Sequence, residues 1–330
     1  MGFETQEVER KVLAILRVLS KASEPLGARV IAQHLKYYGV ELGERAVRYH
    51  LKMMDERGLT RLVGRDGRLI TEAGIEELKT ALVRDKVGSA FTRIEQLAFR
   101  TTFNWREHTG LVPVNISLFP KDGFRKALQV MRPIFDAGIC VSDLVAVAQE
   151  GETIGEQAVP KGKVALATVC SIVINGTLLK AGVPIDSKFA GILQVRNRQP
   201  MRFVELIHYA GSSLDPSEVF IRAGMTSVNE VVHKGDGKIL ANFREIPAVC
   251  RQLTGDVIEG LKKAGLGGLL LMGNTSESVC EIPVELNRIG MILIGGLNPV
   301  AAAEEAGIRS ENRAMSTLLD YKGLISIKEV

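Results

Sequence analysis

Two stretches of this 330-residue chain repeat one pattern, and that repeat limits the available folds more than any other feature. They are "FDAGICVSDLVAVAQEGETIGEQAVPKGKVALATVCSIVINGTLLKAGVPI" and "KKAGLGGLLLMGNTSESVCEIPVELNRIGMILIGGLNPVAAAEEAGI". Both open on Ala-Gly after a helical segment, at Ala137-Gly138 and Ala264-Gly265. An apolar strand follows in each, then Pro160 or Pro283, a basic residue and a second buried strand. A loop of small residues then leads into a helix ending in Ala-Gly, at Ala181-Gly182 and Ala306-Gly307. The two ends are offset by 127 and 125 residues. Spacing held over about fifty residues predicts two copies of one α/β unit. Upstream, "VPVNISLFPKDGFRKALQVMRPIFDAG" parallels "ILANFREIPAVCRQLTGDVIEGLKKAG", so the copies are placed at approximately 110–215 and 236–330. Two related units pair about a pseudo-twofold and leave a cleft, a favoured place for a small ligand.

The two strand–loop–helix joints, Ser171 to Thr177 and Gly295 to Val300, carry the chemistry expected of that cleft. Small residues before a helix let backbone N–H groups approach an anion, which the helix N-terminus favours. Ser171, Asn175, Gly176, Gly295, Gly296 and Asn298 are the candidate ligand residues on these joints; a plain packing turn is the alternative for each. Two further stretches, "FIRAGMTSVNEVV" and "ILANFREIPAV", set Arg222 and Arg244 among apolar residues beside Thr226, Ser227 and Asn242. An arginine in such a setting needs a partner. Glu245 or another internal acid would serve, and so would a ligand carboxylate gripped through two N–H bonds. Asp215-Pro216 reads as a turn or helix start.

The first eighty residues have a different texture. "ERKVLAILRVLSKASEPLG" puts Val12, Leu13, Ile15, Leu16 and Leu19 on one helical face and breaks at Pro25. "ARVIAQHLKYYGV" predicts a short second helix with Val30, Ile31 and Leu35 inward. "RAVRYHLKMMDERGL" predicts a third, with Val47, Leu51 and Met54 inward beside Ala46 and His50, ended by Gly58. "LTRLVGRDGRLITEAG" turns at Asp66-Gly67 as a hairpin, and Thr71 caps a helix through Leu78. Three helices and a small hairpin make a winged helix-turn-helix, whose third helix enters the DNA major groove and whose wing follows the phosphates. Arg45, Arg48, Tyr49 and Lys52 are the candidates for the groove, and Arg65 and Arg68 for the wing.

Charge agrees with this placement. Residues 27–70 hold nine Lys and Arg against five Asp and Glu, while the other 286 residues balance at 33 against 33. The whole formal excess of +4 thus lies on the helix and wing, where phosphates would be neutralised. A winged helix that contacts protein is the alternative.

Residues 1–81 are therefore read as the DNA-binding domain, 82–109 as a connector or dimerising helix, and 110–330 as the duplicated effector domain. The fold class is mixed α/β. Cys140, Cys170, Cys250 and Cys280 lie far apart, without ligand spacing, which predicts reduced thiols and no metal site. No signal peptide and no membrane-spanning run is read, so a cytoplasmic protein is expected. The sequence carries no G-x-S-x-G, P-loop or G-x-G-x-x-G signature. His34, His50, His108, His208 and His233 are scattered, with His208 the one to check against the cleft; a fused enzyme remains the minority reading.

The chain resembles the NrpR-type nitrogen repressors of archaea. The resemblance runs over almost the whole sequence, through "GERAVRYHLKMMDERGLT", "RTTFN", "LVPVNISL", "AGICVSDLVAVAQEGETIG", "TVCSIVINGTLLKAGVPID", "FIRAGMTSV", "GKILANFREIPA" and "IGGLNPVAAAEEAGI". It implies a homodimeric repressor of nitrogen-assimilation genes, bound to inverted-repeat operator DNA and released by 2-oxoglutarate. Some members of that family carry two effector domains in tandem; this chain resembles a version with one. The effector's identity rests on the resemblance, and an amino acid or a nucleotide is the alternative metabolite.

Overall fold

The structure is a computed structural model that describes residues 2–80 and 87–330. It divides into two compact units, Met1–Lys86 and Val87–Val330. The start of the expected connector, 82–86, lies outside the described residues. The remainder, 87–109, belongs to the second unit.

The first unit runs α1 (Gly2–Leu19), α2 (Ala28–Tyr37), α3 (Glu44–Glu56), β1 (Thr60–Val63), β2 (Gly67–Ile70) and α4 (Glu72–Thr80). Ile15, Leu16, Ile31, Leu35, Val47, Leu51 and Met54 are wholly buried in its core. Val30, expected inward on α2, is instead exposed, because its neighbour Ile31 takes the inward position. Gly58 ends α3 at φ +71°, a conformation that costs little only without a Cβ. The wing strands pair from Thr60↔Ile70 to Val63↔Gly67. Leu26 adds a third, short run to this hairpin through two 3.0 Å backbone bonds with Arg68. A Cβ on Gly67 would lie 2.3 Å from the Leu26 backbone, so only glycine permits that approach. Thr71 caps α4, its Oγ1 accepting from the Gly74 N–H at 3.1 Å.

The second unit begins with α5 (Ser89–Arg100), whose Ala90, Ile94, Leu97 and Ala98 are buried in that unit's core. Then come β3 (Leu111–Pro120), α6 (Lys121–Asp136), β4 (Leu144–Ala148), a small hairpin β5 (Thr153–Ile154) and β6 (Gln157–Ala158), β7 (Lys163–Val169), α7 (Ile172–Lys180) and β8 (Asp186–Arg196). After β9 (Gln199–His208), α8 (Pro216–Arg222) and α9 (Val228–Lys234), the order returns as β10 (Gly237–Pro247), α10 (Arg251–Lys263), β11 (Leu269–Thr275), β12 (Arg288–Ile294), α11 (Asn298–Glu305) and β13 (Glu311–Asp320), closed by β14 (Ile325–Ser326). Each copy is thus β-α-β-β-α-β, the split arrangement of ferredoxin-like sheets.

The copies are interleaved. One sheet has the order β13-β3-β7-β4-β14 and the other β11-β12-β10-β8-β9, with every pair antiparallel. The last strand of each copy therefore pairs in the other copy's sheet: β13 lies beside β3, and β8 beside β10. The two segments read from sequence as subdomains, 110–215 and 236–330, each lend a strand to the other, so neither encloses a complete sheet of its own. Helices α7 and α11 are buried almost all round, including Ile172–Leu178 and Asn298–Ala303. That explains their apolar, small-residue sequences and their lack of an amphipathic stripe.

Candidate functional site

The pseudo-twofold brings the starts of α7 and α11 together. Gly296 packs so closely on the opposite copy that a Cβ there would lie 2.4 Å from the Val169 carbonyl and 2.8 Å from Asn115 Nδ2. A narrow polar pocket opens at this junction. Ser171, Asn242, Arg244, Gly295 and Gly296, all candidates from the sequence, line it.

Strand β10 sets the chemistry. Residues two apart on a strand share a face, so Asn242 and Arg244 point together into the junction. Arg244 is 1% exposed. Its guanidinium donates to the Ser187 hydroxyl and, at 3.3 Å, to Ser171 Oγ, while Nε has no partner. Among the described residues no carboxylate pairs with it. Burial pushes its pKa below the ordinary arginine value, opposed by Tyr209 and Cys170. Asn242 Oδ1 accepts from the Tyr209 hydroxyl at 2.5 Å, and its Nδ2 faces Ser171 Oγ at 3.4 Å. The pocket thus holds a desolvated cation, the buried Asp215 carboxyl, two helix N-termini and several hydroxyl and amide groups. That combination suits a small carboxylate.

Other sequence candidates lie elsewhere. Asn175 sits one turn into α7 and donates to Ser187 Oγ at 3.0 Å, behind the arginine rather than in the pocket. Gly176 is a packing glycine: a Cβ there would lie 2.4 Å from Thr101. Asn298 binds both backbone groups of Leu240, at 2.8 and 3.0 Å, and so ties α11 to β10. Arg222 is outside the pocket, its side chain 74% exposed and loosely paired with Glu218 at 3.9 Å. Its apolar neighbours Phe220 and Ile221 face the core, while the last turn of α8 carries the arginine outward. Thr226 and Ser227 are also outside it; Ser227 closes a backbone loop with Lys238. His208 is exposed and does not line the pocket.

Sequence reasoning missed Asn115, Cys170, Tyr209, Asp215, Ser217 and Met315, which also line it. A signal existed for Asn115: it stands 127 residues before Asn242, in "VNISLFP" against "ANFREIP". The same alignment puts Ser117 where the second copy has Arg244, so the junction carries its cation on one side only. Asn115 Oδ1 accepts from the Met315 N–H at 3.0 Å. Met315 reaches it from a bulge in β13 at φ +50°, a strained conformation for a side chain of that size. Burial pushes the Cys170 thiol up to about 11, which makes it a poor nucleophile at neutral pH.

In the first unit, Arg45, Arg48, Tyr49 and Lys52 are all exposed on α3, and Arg65 is exposed at the wing turn. Arg48 also pairs with Glu44 one turn earlier. Arg68 corrects the sequence reading. Its Nε binds Asp55 at 2.7 Å, with the pair part-buried, so it fastens the wing to α3 instead of reaching outward. Arg61, exposed on β1, is a wing cation that was not singled out.

Fold and site define a winged helix fused to a duplicated α/β unit with a polar pocket between its copies. A sequence model of the NrpR regulatory domains NRD1 and 2 matches residues 87–326. A model of the ribonuclease R winged-helix domain matches residues 13–78. The chain is 43% identical over 324 residues to the global nitrogen regulator NrpRI of Methanosarcina mazei, covering 98% of this chain and 99% of that protein. It is 34% identical to the global nitrogen regulator NrpR of Methanococcus maripaludis, covering 94% of this chain and 54% of that one. For the NrpR of Methanocaldococcus jannaschii the values are 31%, 98% and 56%. The chain thus spans the length of the first relative and little more than half of the other two. A crystal structure of a nitrogen repressor-like protein from Methanococcus jannaschii matches with a TM-score of 0.62 at 26% identity, covering 73% of this chain and 99% of that one. This chain belongs to the NrpR family of global nitrogen regulators.

Proposed function

We propose that this protein is a DNA-binding repressor of nitrogen-assimilation genes, controlled by a small carboxylate in the pocket around Arg244. It acts by binding rather than turnover, in the cytoplasm where its operator lies. The observation that carries the effector reading is Arg244 itself: a buried guanidinium without an acidic partner, set beside two helix N-termini. Burying a cation unpaired is costly, and an anionic ligand offsets that cost. 2-Oxoglutarate, the effector expected from the family resemblance, has an α-keto acid end suited to Arg244 and the hydroxyls around it. The first unit supplies the DNA contacts through α3 and the wing. A homodimer fits this reading, because one winged helix reads a half-site and inverted-repeat operators mirror protein symmetry.

The test is a calorimetric titration of the full chain with 2-oxoglutarate, followed by operator binding with and without it. Saturable binding that weakens the DNA complex supports the reading. A protein that binds neither 2-oxoglutarate nor any other small carboxylate contradicts it.

A further inference from the structure

Arg244 is not the only buried ionisable group in the pocket that stands outside any ion pair. Asp215 is 8% exposed and lines the same pocket. Its Oδ1 caps α8, accepting from the Ser217 and Glu218 N–H groups at 2.8 and 3.3 Å. Among the described residues no lysine or arginine forms an ion pair with it. Tyr209 stands within the electrostatic reach of both charged groups. The acid and the guanidinium nonetheless make no ion pair with each other.

A buried guanidinium and a buried carboxyl in one pocket, neither in an ion pair, are satisfied together by a ligand that carries both a carboxylate and an ammonium. We propose that the pocket also takes an α-amino acid, Arg244 receiving the carboxylate and Asp215 the ammonium. This rests on the reading of Arg244 as a carboxylate anchor. L-Glutamate differs from 2-oxoglutarate only at the α-carbon, where a C=O accepts hydrogen bonds and an ammonium donates them. An ionised Asp215 suits the ammonium and opposes the keto oxygen. Asp215 is thus the residue that reads which of the two groups is present. Burial pushes its carboxyl above the usual range, and a bound ammonium would draw it back.

Asp215→Asn isolates the charge. Asparagine is as good an N-cap as aspartate, so α8 keeps its start, and its amide can donate to a keto oxygen. Calorimetry on the full chain would use 2-oxoglutarate, L-glutamate and glutarate, with competition between the first two. The wild type is expected to bind glutamate in competition with 2-oxoglutarate. In Asp215→Asn the ratio of the two dissociation constants should move against glutamate by roughly tenfold or more. Should that variant fail to fold, the wild-type competition still decides. Glutamate that fails to displace bound 2-oxoglutarate at millimolar concentration overturns the inference and leaves the proposed function standing. An unchanged ratio in the variant also overturns it. If no carboxylate binds at all, both fall.

Discussion

Arg244 and Glu245 are neighbours in the chain and share no ion pair. Strand alternation sends them to opposite faces of β10. Glu245 meets Arg288 at 3.1 Å and Lys188 at 3.4 Å, while Arg244 turns to the hydroxyls of Ser171 and Ser187. The nearest internal acid in sequence is therefore committed elsewhere, and the guanidinium is left without an acidic partner among the described residues.

That separation predicts an unusual stability result. Replacing a paired, buried arginine normally destabilises by about 3–5 kcal/mol because the partner is stranded. Arg244→Met leaves Ser187 and Ser171 with their other partners, Asn175 and Asn242, and removes an uncompensated charge, so its stability should stay within about 1–2 kcal/mol of wild type. Urea melts of the two proteins check this; a loss near 4 kcal/mol would mean that Arg244 is a structural ion-pair member.

The two wing arginines should separate by phenotype. Arg65→Ala is expected to weaken binding to all DNA sequences and lower the salt slope by about 1. Arg68→Ala should instead destabilise the first unit by about 1 kcal/mol, through loss of the Asp55 pair. On α3, Arg48→Ala should cost about 1–3 kcal/mol of operator affinity and relax base preference. Filter binding over a salt series, beside melting curves, distinguishes the three. Unchanged operator affinity for Arg48→Ala would remove α3 from the DNA.

Gly176 and Arg222 test the corrected site. Gly176→Ala would press a methyl group against Thr101 and should cost about 1–3 kcal/mol of stability. Arg222→Ala should change neither stability nor effector affinity by more than about 0.5 kcal/mol, as befits an exposed side chain. Loss of effector binding in Arg222→Ala would mean that the ligand lies outside the junction.

His50 gives the first unit a pH dependence. It is buried on α3 with Nδ1 unpartnered, and burial, with the charge of Lys11, lowers its pKa from 6.5. Its native pKa lies below the unfolded value, so the unfolded chain takes up a proton first as pH falls. Stability is full above about pH 6.5 and declines below it, by up to about 1.4 kcal/mol per pH unit. Denaturant melts at pH 7.5 and 5.5 measure the decline, and His50→Leu should abolish most of it. An equal decline in that variant would assign the effect to another group.

Local pattern exposed much of this fold. The stripe of Val47, Leu51 and Met54, the wing hairpin and the Thr71 cap are short-range features that helix and hairpin geometry dictate. The hairpin turns at residues 64–66, however, and Gly67 already belongs to β2 rather than to an Asp66-Gly67 turn. The duplication was visible because both copies keep their joints at nearly equal offsets. The exchange of β8 and β13 was not, since strand partners distant in sequence leave no periodic trace along either strand. The same limit governed the site. Arg222 and Arg244 both stand among apolar residues, and only the tertiary environment shows one at the surface and the other in the junction. Asp215-Pro216 reads as a turn or helix start, and Asp215 does cap α8; its second position, in the pocket wall, depends on where α8 packs.

The most direct test is fluorescence anisotropy on a labelled duplex carrying the inverted repeat proposed as the operator. Wild type and Arg244→Met would each be titrated with and without 2-oxoglutarate. The wild type should lose about 5- to 150-fold in DNA affinity when effector saturates it, the usual range of allosteric coupling. Arg244→Met should bind the duplex as tightly as unliganded wild type and ignore the effector. If Arg244→Met still releases DNA at the wild-type concentration of 2-oxoglutarate, the pocket around Arg244 is not the sensor.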